Sequence, residues 1–184
     1  DLALINWPRQ DYARESILDR KPLEVAGILQ RAKRVSLAFL YWLQNELPRD
    51  EGVGRGYPEL MLRPDVMGTA DGLSKYPYIR ESRRIRGLSR VLEQDIVAEF
   101  QKGARARWFQ DSVGTGFYMV DIHPCGAGEQ ARMMMPRPFQ IPMGALIPRG
   151  VSNLLAAGKN IGVTHVTNGA FRLHPVEWNV GEAA

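Results

Sequence analysis

Between Gly158 and His174 the chain gathers the side chains best suited to chemistry: Lys159, Asn160, His165, Arg172 and His174, interleaved with Gly158, Gly162 and Gly169. An arginine clamps or protonates an anion, and a histidine takes or gives a proton near neutral pH. Glycines admit a flat group close to the backbone. Pro175 then stands where proline is tolerated in a first helical turn, and a helix N-terminus favours anionic or electron-rich groups. An ordinary structural connection is the competing reading, but it needs neither two histidines nor an arginine.

Three further segments carry candidate chemistry. Phe117 to His123 alternates as a strand does, with Tyr118, Val120 and Ile122 on one face and Met119, Asp121 and His123 on the other. His123, one residue from Asp121, suits a second acid or base and equally a structural histidine. The run Tyr78 to Arg84 turns Arg80 or Arg83 toward a substrate, or pairs them with Glu81 in an ion-pair network. Gly126-Ala127-Gly128-Glu129-Gln130-Ala131 matches a dinucleotide-binding spacing on paper. Pro124 before it and Met133-Met134-Met135-Pro136 after it remove the strand and helix that motif needs, so it is discounted.

The elements that must hold these residues follow from periodicity. Val25, Ile28, Leu29, Ala32, Val35, Phe39, Leu40 and Leu43 recur at helical spacing, and Pro22 and Pro48 bracket a helix over 22–47. Its aromatic trio Phe39, Tyr41 and Trp42 is expected in a core. Residues 48–77, with Gly52-Val53-Gly54-Arg55-Gly56, form a long loop or series of turns. A strand over 85–92 and a short helix over 93–102 come next. Residues 124–152, with five prolines, form an extended, turning connection. Asn153 to Ala157 is expected as a short buried strand, followed by a loop from Gly158 to His174 and a helix from Pro175. Leu2-Ala3-Leu4-Ile5 resembles a strand without an upstream partner, and the last helix meets no closing element. These features suggest a C-terminal portion of a larger protein.

Composition narrows the function classes. The 184 residues are 45% hydrophobic, enough for a real core and against disorder. No stretch approaches the roughly 18 apolar residues of a membrane span, so no membrane partner is expected. One cysteine, Cys125, excludes an internal disulfide and a cysteine-based zinc site, and fits a reducing compartment. Of 24 basic residues 19 are arginine, against 20 acids, for a net charge of +4. The basic residues are scattered among acids, which argues against nucleic acid and for a smaller anionic ligand.

Asn153 to Pro175 resembles the C-terminal flavin-contacting stretch of FAD-dependent oxidoreductases of the glutathione-reductase-like superfamily. In particular it resembles the bacterial FAD-dependent oxidoreductases, some labelled xanthan lyases, which end in a similar Ala-Gly-Lys-Asn run and Gly-Glu-Ala-Ala helix. Ile5-Asn6-Trp7-Pro8, Phe39-Leu40-Tyr41, Pro77 to Ile85, Asp121-Ile122-His123 and Pro138-Phe139-Gln140-Ile141-Pro142 resemble that family in the same order. The resemblance implies an α/β fold, α+β as truncated, in which an N-terminal GxGxxG Rossmann half, absent from these residues, holds the ADP portion of FAD. Residues 1–152 would be the substrate or cap region and 153–184 the flavin-contacting strand, loop and helix. It further implies a hydride transfer between a small organic substrate and FAD. The cofactor contacts would be Gly158, Lys159, Asn160, Gly169, His174, Pro175 and Val176, and the catalytic residues Arg172, His165 and His123. The order of His165 and Arg172 also resembles a more distant pattern in succinate dehydrogenase and fumarate reductase flavoproteins, where the pair holds a carboxylate. A function of another class is a non-catalytic module that binds an anionic partner such as a polysaccharide.

Overall fold

The computed structural model describes residues 2–5, 11–50, 52–78, 83–124 and 130–184. The Asn6-Trp7-Pro8 and Ile79–Ser82 parts of the resemblance, Arg80, Cys125 and residues 126–129 of the discounted glycine motif lie outside them. The chain divides into two compact units, residues 1–78 with 125–127, and residues 79–124 with 128–184.

The first unit is organised by helix α1, Pro22–Asn45, close to its expected bounds. Pro22 opens it, and the Lys21 N–H is accepted by the Glu24 carboxylate at 2.9 Å, which satisfies one of the donors orphaned at a helix start. Its last turn closes with the Glu46 and Leu47 N–H groups both donating to the Trp42 carbonyl, and Pro48 follows. Ile28 and Leu43 are its buried residues. Phe39 and Trp42 are half-buried and stack on each other at 5.9 Å, and Tyr41 is exposed, so none of the three expected core aromatics is fully buried. The glycine run folds back onto the helix end. Gly56 adopts φ +77°, and a Cβ there would stand 2.2 Å from the Gln44 carbonyl oxygen. Glycine is therefore required both by the conformation and by the close approach. A one-turn helix α2, Pro64–Met67, interrupts the loop. Arg31 holds Glu15 through two hydrogen bonds of 2.7 and 2.8 Å.

Among the described residues, the second unit contains two small antiparallel sheets and three helices. Strand β1, Ser112–Gly116, pairs with β4, Phe139–Pro142, in the register Gly114 to Ile141 and Gly116 to Phe139. Strand β2, Val120–Ile122, pairs with β3, Arg132–Met134, so that Asp121 faces Met133. Phe139, Ile141, Val120 and Ile122 supply the sheets' share of the core, and Phe139 stacks on Phe171 at 4.5 Å. Helices and small antiparallel sheets together make this a mixed helix and strand architecture.

Several expectations are corrected here. Residues 85–92 make no regular strand. They are tied by an isolated bridge from Gly87 to Pro148, flanked by the Leu88 N–H on the Ile147 carbonyl and the Arg149 N–H on the Arg86 carbonyl, and by another from Val91 to Val163. The helix expected over 93–102 is one turn, α3 at Glu93–Ile96, then a 3-10 turn at Ala98–Phe100. Val97 between them is extended, at φ −69° and ψ 133°, because it bridges to Pro136. The strand expected over Phe117–His123 shortens to Val120–Ile122. Asn153–Ala157 is not a strand at all. Ala156 alone of the five is buried, its N–H donating to the Leu146 carbonyl at 2.9 Å, and Asn153, Leu154 and Ala157 border an open groove beside Gly181. The loop expected from Gly158 to His174 contains a helix, α4, at His165–Phe171. Helix α5, His174–Ala183, opens with Pro175 in its first turn as expected.

Candidate functional site

Thr164 caps helix α4, whose residues Thr167 to Phe171 are buried. The Thr164 hydroxyl accepts the Thr167 N–H at 3.0 Å, and the Thr167 hydroxyl accepts the Thr164 N–H at 2.9 Å. This reciprocal pairing is the capping-box arrangement with threonine in place of glutamate. Thr167 also donates to the Val91 carbonyl at 3.0 Å, which docks the helix start on the 85–92 segment.

Along α4, His165, Asn168 and Arg172 are spaced by three and four residues and share one helix face. Gly169 on the same side explains the helix's position. A Cβ at 169 would lie 2.9 Å from the Asp121 carbonyl oxygen and 3.0 Å from its nitrogen, so the glycine lets α4 lie against the backbone of β2. That contact accounts for this glycine by packing. Arg172, at the C-cap of α4, then reaches Asp121. Its Nη2 donates to Asp121 Oδ2 at 2.9 Å and to the Asp121 carbonyl at 3.2 Å. His123 Nε2 lies 3.3 Å from the same Oδ2.

The structure thus brings two of the expected catalytic residues, Arg172 and His123, onto one carboxylate. Arg172 and Asp121 are 8% exposed and Asn168 is 1% exposed. Among the described residues, Asn168 Oδ1 and Arg172 Nε are buried with no hydrogen-bond partner. Each such group costs about 1–3 kcal/mol, and a stripe of leucines would avoid the cost. A polar stripe kept at a helix–strand contact is where local rules give way to a site. His165, at the other end of α4, is half-buried and about 10 Å along the helix axis from Arg172, by the rise of seven residues. Asp121 is the residue that sequence reasoning underrated. Its signal was present in the polar face of the alternating Phe117–His123 segment, but the partner lies 51 residues away.

A second group surrounds the start of α5. Leu173 stands at the N-cap and offers the first-turn N–H groups no side-chain acceptor. His174 and Pro175 are exposed. Val176 is buried, and its side chain packs so close to Gly116 that a Cβ there would come within 2.9 Å of it. The turn Gly158-Lys159-Asn160 reaches this helix through Glu177, whose Oε1 accepts the Lys159 N–H at 3.1 Å. That N–H is therefore committed inside the protein, and Lys159 offers a ligand its ammonium. Arg172-Leu173 is the whole connection between the two helices, so both groups share one short stretch of chain.

A family model described as FAD dependent oxidoreductase matches residues 1–184. The chain belongs to this family. No curated protein and no solved structure matches the FAD dependent oxidoreductase chain. The residues present fit the flavin ring better than the rest of the cofactor. The turn is open at Gly158, where an added Cβ would meet only Asn160 Oδ1 and Glu177 Oε1, each at 3.9 Å. It lies beside an uncapped helix start with lysine, asparagine and histidine at hand. Among the described residues no strand runs through a glycine turn into a helix, the arrangement that cradles a pyrophosphate. Nor do the described residues hold a group of His, Cys, Asp and Glu able to bind a metal ion, or a helix long and apolar enough to cross a membrane.

Proposed function

We propose that this FAD dependent oxidoreductase chain forms the flavin-facing and substrate-facing part of an enzyme that moves a hydride between a small organic substrate and FAD. Residues 153–184 contact the flavin through Gly158, Lys159 and Asn160 and through the start of α5 at His174, Pro175 and Val176. Residues 1–152 supply the substrate side, and a Rossmann half outside these 184 residues holds the ADP portion. When bound, FAD supplies the hydride acceptor or donor.

The observation that carries the reading is the buried Arg172–Asp121–His123 cluster beside the polar stripe of α4. Arg172 is permanently cationic, and Asp121 holds it in one orientation. Its charge is met by the Asp121 carboxylate, so its part is to hold that carboxylate in place beside His123. His123, oriented by the same carboxylate, holds or moves the proton that accompanies hydride transfer, and His165 does so at the other end of α4. Gly169 acts at one remove by keeping α4 against Asp121.

The test uses the intact protein that carries this chain. Its visible absorption shows whether FAD is bound, and anaerobic bleaching by a panel of small hydroxy acids, amines and amino acids finds a reductant. His165→Ala and His123→Gln are expected to keep FAD and slow bleaching at least tenfold, in line with the usual weight of a general acid or base. Unchanged bleaching in both overturns the assignment of these residues. Wild-type protein that neither retains nor binds FAD overturns the function.

A further inference from the structure

We infer that Glu177 is a positioning residue for the flavin, acting by fixing the Gly158–Asn160 turn against the start of α5. The inference rests on the flavin reading above. The turn is anchored upstream by the Ala156 N–H on the Leu146 carbonyl at 2.9 Å. Downstream it is anchored by the Ile85 N–H on the Asn160 carbonyl at 2.8 Å and the Gly162 N–H on the Ala145 carbonyl at 2.7 Å. Between these anchors lie Gly158 and Lys159, a glycine and a long flexible side chain, which do not hold a turn by themselves. Glu177 reaches across 18 residues to the Lys159 N–H at 3.1 Å, and its Oε1 also passes below Gly158.

The carboxylate is in turn fixed by its own element. Glu177 follows Val176, which is 3% exposed and packed below Gly116, and precedes Val180, which is 1% exposed, so its place on α5 is set by the core. An acid in the first turn is also favoured by the helix dipole. Through this one side chain, the two backbone segments proposed to contact the ring become a single rigid piece. Ring binding demands placement within about half an ångström, which a free glycine turn does not supply.

The experiment compares Glu177→Gln, Glu177→Asp and Glu177→Ala in the intact FAD-loaded protein. Glutamine keeps an acceptor oxygen at full reach and loses the charge, whereas aspartate keeps the charge and loses the reach. FAD affinity is read by fluorescence titration of the apo-protein, the shape of the visible flavin band by absorption, and folding by thermal melting of the apo-protein. Glu177→Asp and Glu177→Ala are expected to weaken FAD about tenfold, the weight of one hydrogen bond, and to alter the flavin band. Glu177→Gln stays within about threefold of wild type, and the apo-proteins of Glu177→Asp and Glu177→Gln melt together. Wild-type affinity and band shape in both the aspartate and alanine variants overturn the inference. So does a glutamine variant that falls as far as alanine, since charge and not placement is then the role. A wild type that binds no FAD overturns the flavin reading itself, a result told apart because it precedes any substitution.

Discussion

Replacing Arg172 by methionine removes the guanidinium of a side chain that is 7% exposed and leaves the Asp121 side chain, 11% exposed, without its shorter ionic contact. Breaking one partner out of a buried pair costs about 3–5 kcal/mol, far above the 0–1 kcal/mol of a surface bridge. For a chain of 184 residues, each kcal/mol moves the melting midpoint by about 2–4 °C, so Arg172→Met should lower it by about 6–20 °C. Asp121→Asn alone should be similarly costly, because it strands a buried cation. The double variant should recover part of the loss, with a coupling energy of at least about 1.5 kcal/mol in a double-mutant cycle read by urea unfolding. Additive losses, or a single-variant loss below about 1 kcal/mol, would show that the cluster is not the buried ion pair described here.

Gly169→Ala should destabilise by about 1–3 kcal/mol although alanine is the better helix former, because its methyl group meets the backbone of Asp121 at 2.9 Å. Gly181→Ala on α5, whose methyl would meet the Ala157 carbonyl at an ordinary 3.6 Å, should instead stabilise by about 0.5–1 kcal/mol. Equal effects in thermal melts of the two variants would refute the packing account of Gly169. In the first unit, the Arg31 guanidinium holds the Glu15 carboxyl down to about 2 from its ordinary 4.5. A depressed carboxylate stabilises the fold above its unfolded value, so this contribution is complete above pH 4.5 and disappears as pH falls toward 2. A carbon-detected NMR titration of Glu15 with an ordinary midpoint would contradict the bidentate contact.

How much of this was legible in the sequence depended on how local its cause was. Helix α1 was legible because eight apolar residues keep one period between two prolines. The start of α5 was legible from Pro175 alone. Helix α4 was not, since Asn168 and Gly169 are poor helix formers and read as part of the loop. Its Thr164-x-x-Thr167 cap was the available signal, and the reason for Gly169 is a strand 48 positions earlier. The composition of the 85–92 segment suits a strand, but its partners form only isolated bridges. At the candidate site, Arg172 and His123 followed from residue type. Their meeting on Asp121 did not, because no local period links β2 to the C-cap of α4.

The ladder between β2 and β3 has three residue pairs, too few to specify its own alignment. Sliding β2 by one residue would turn Val120 and Ile122 toward α4 and Asp121 toward the apolar core. Arg172 would then face hydrocarbon with no counter-charge, and the shifted pairing would be expelled. In the native pairing the ion pair therefore marks the alignment, since only there does a negative charge stand against the arginine.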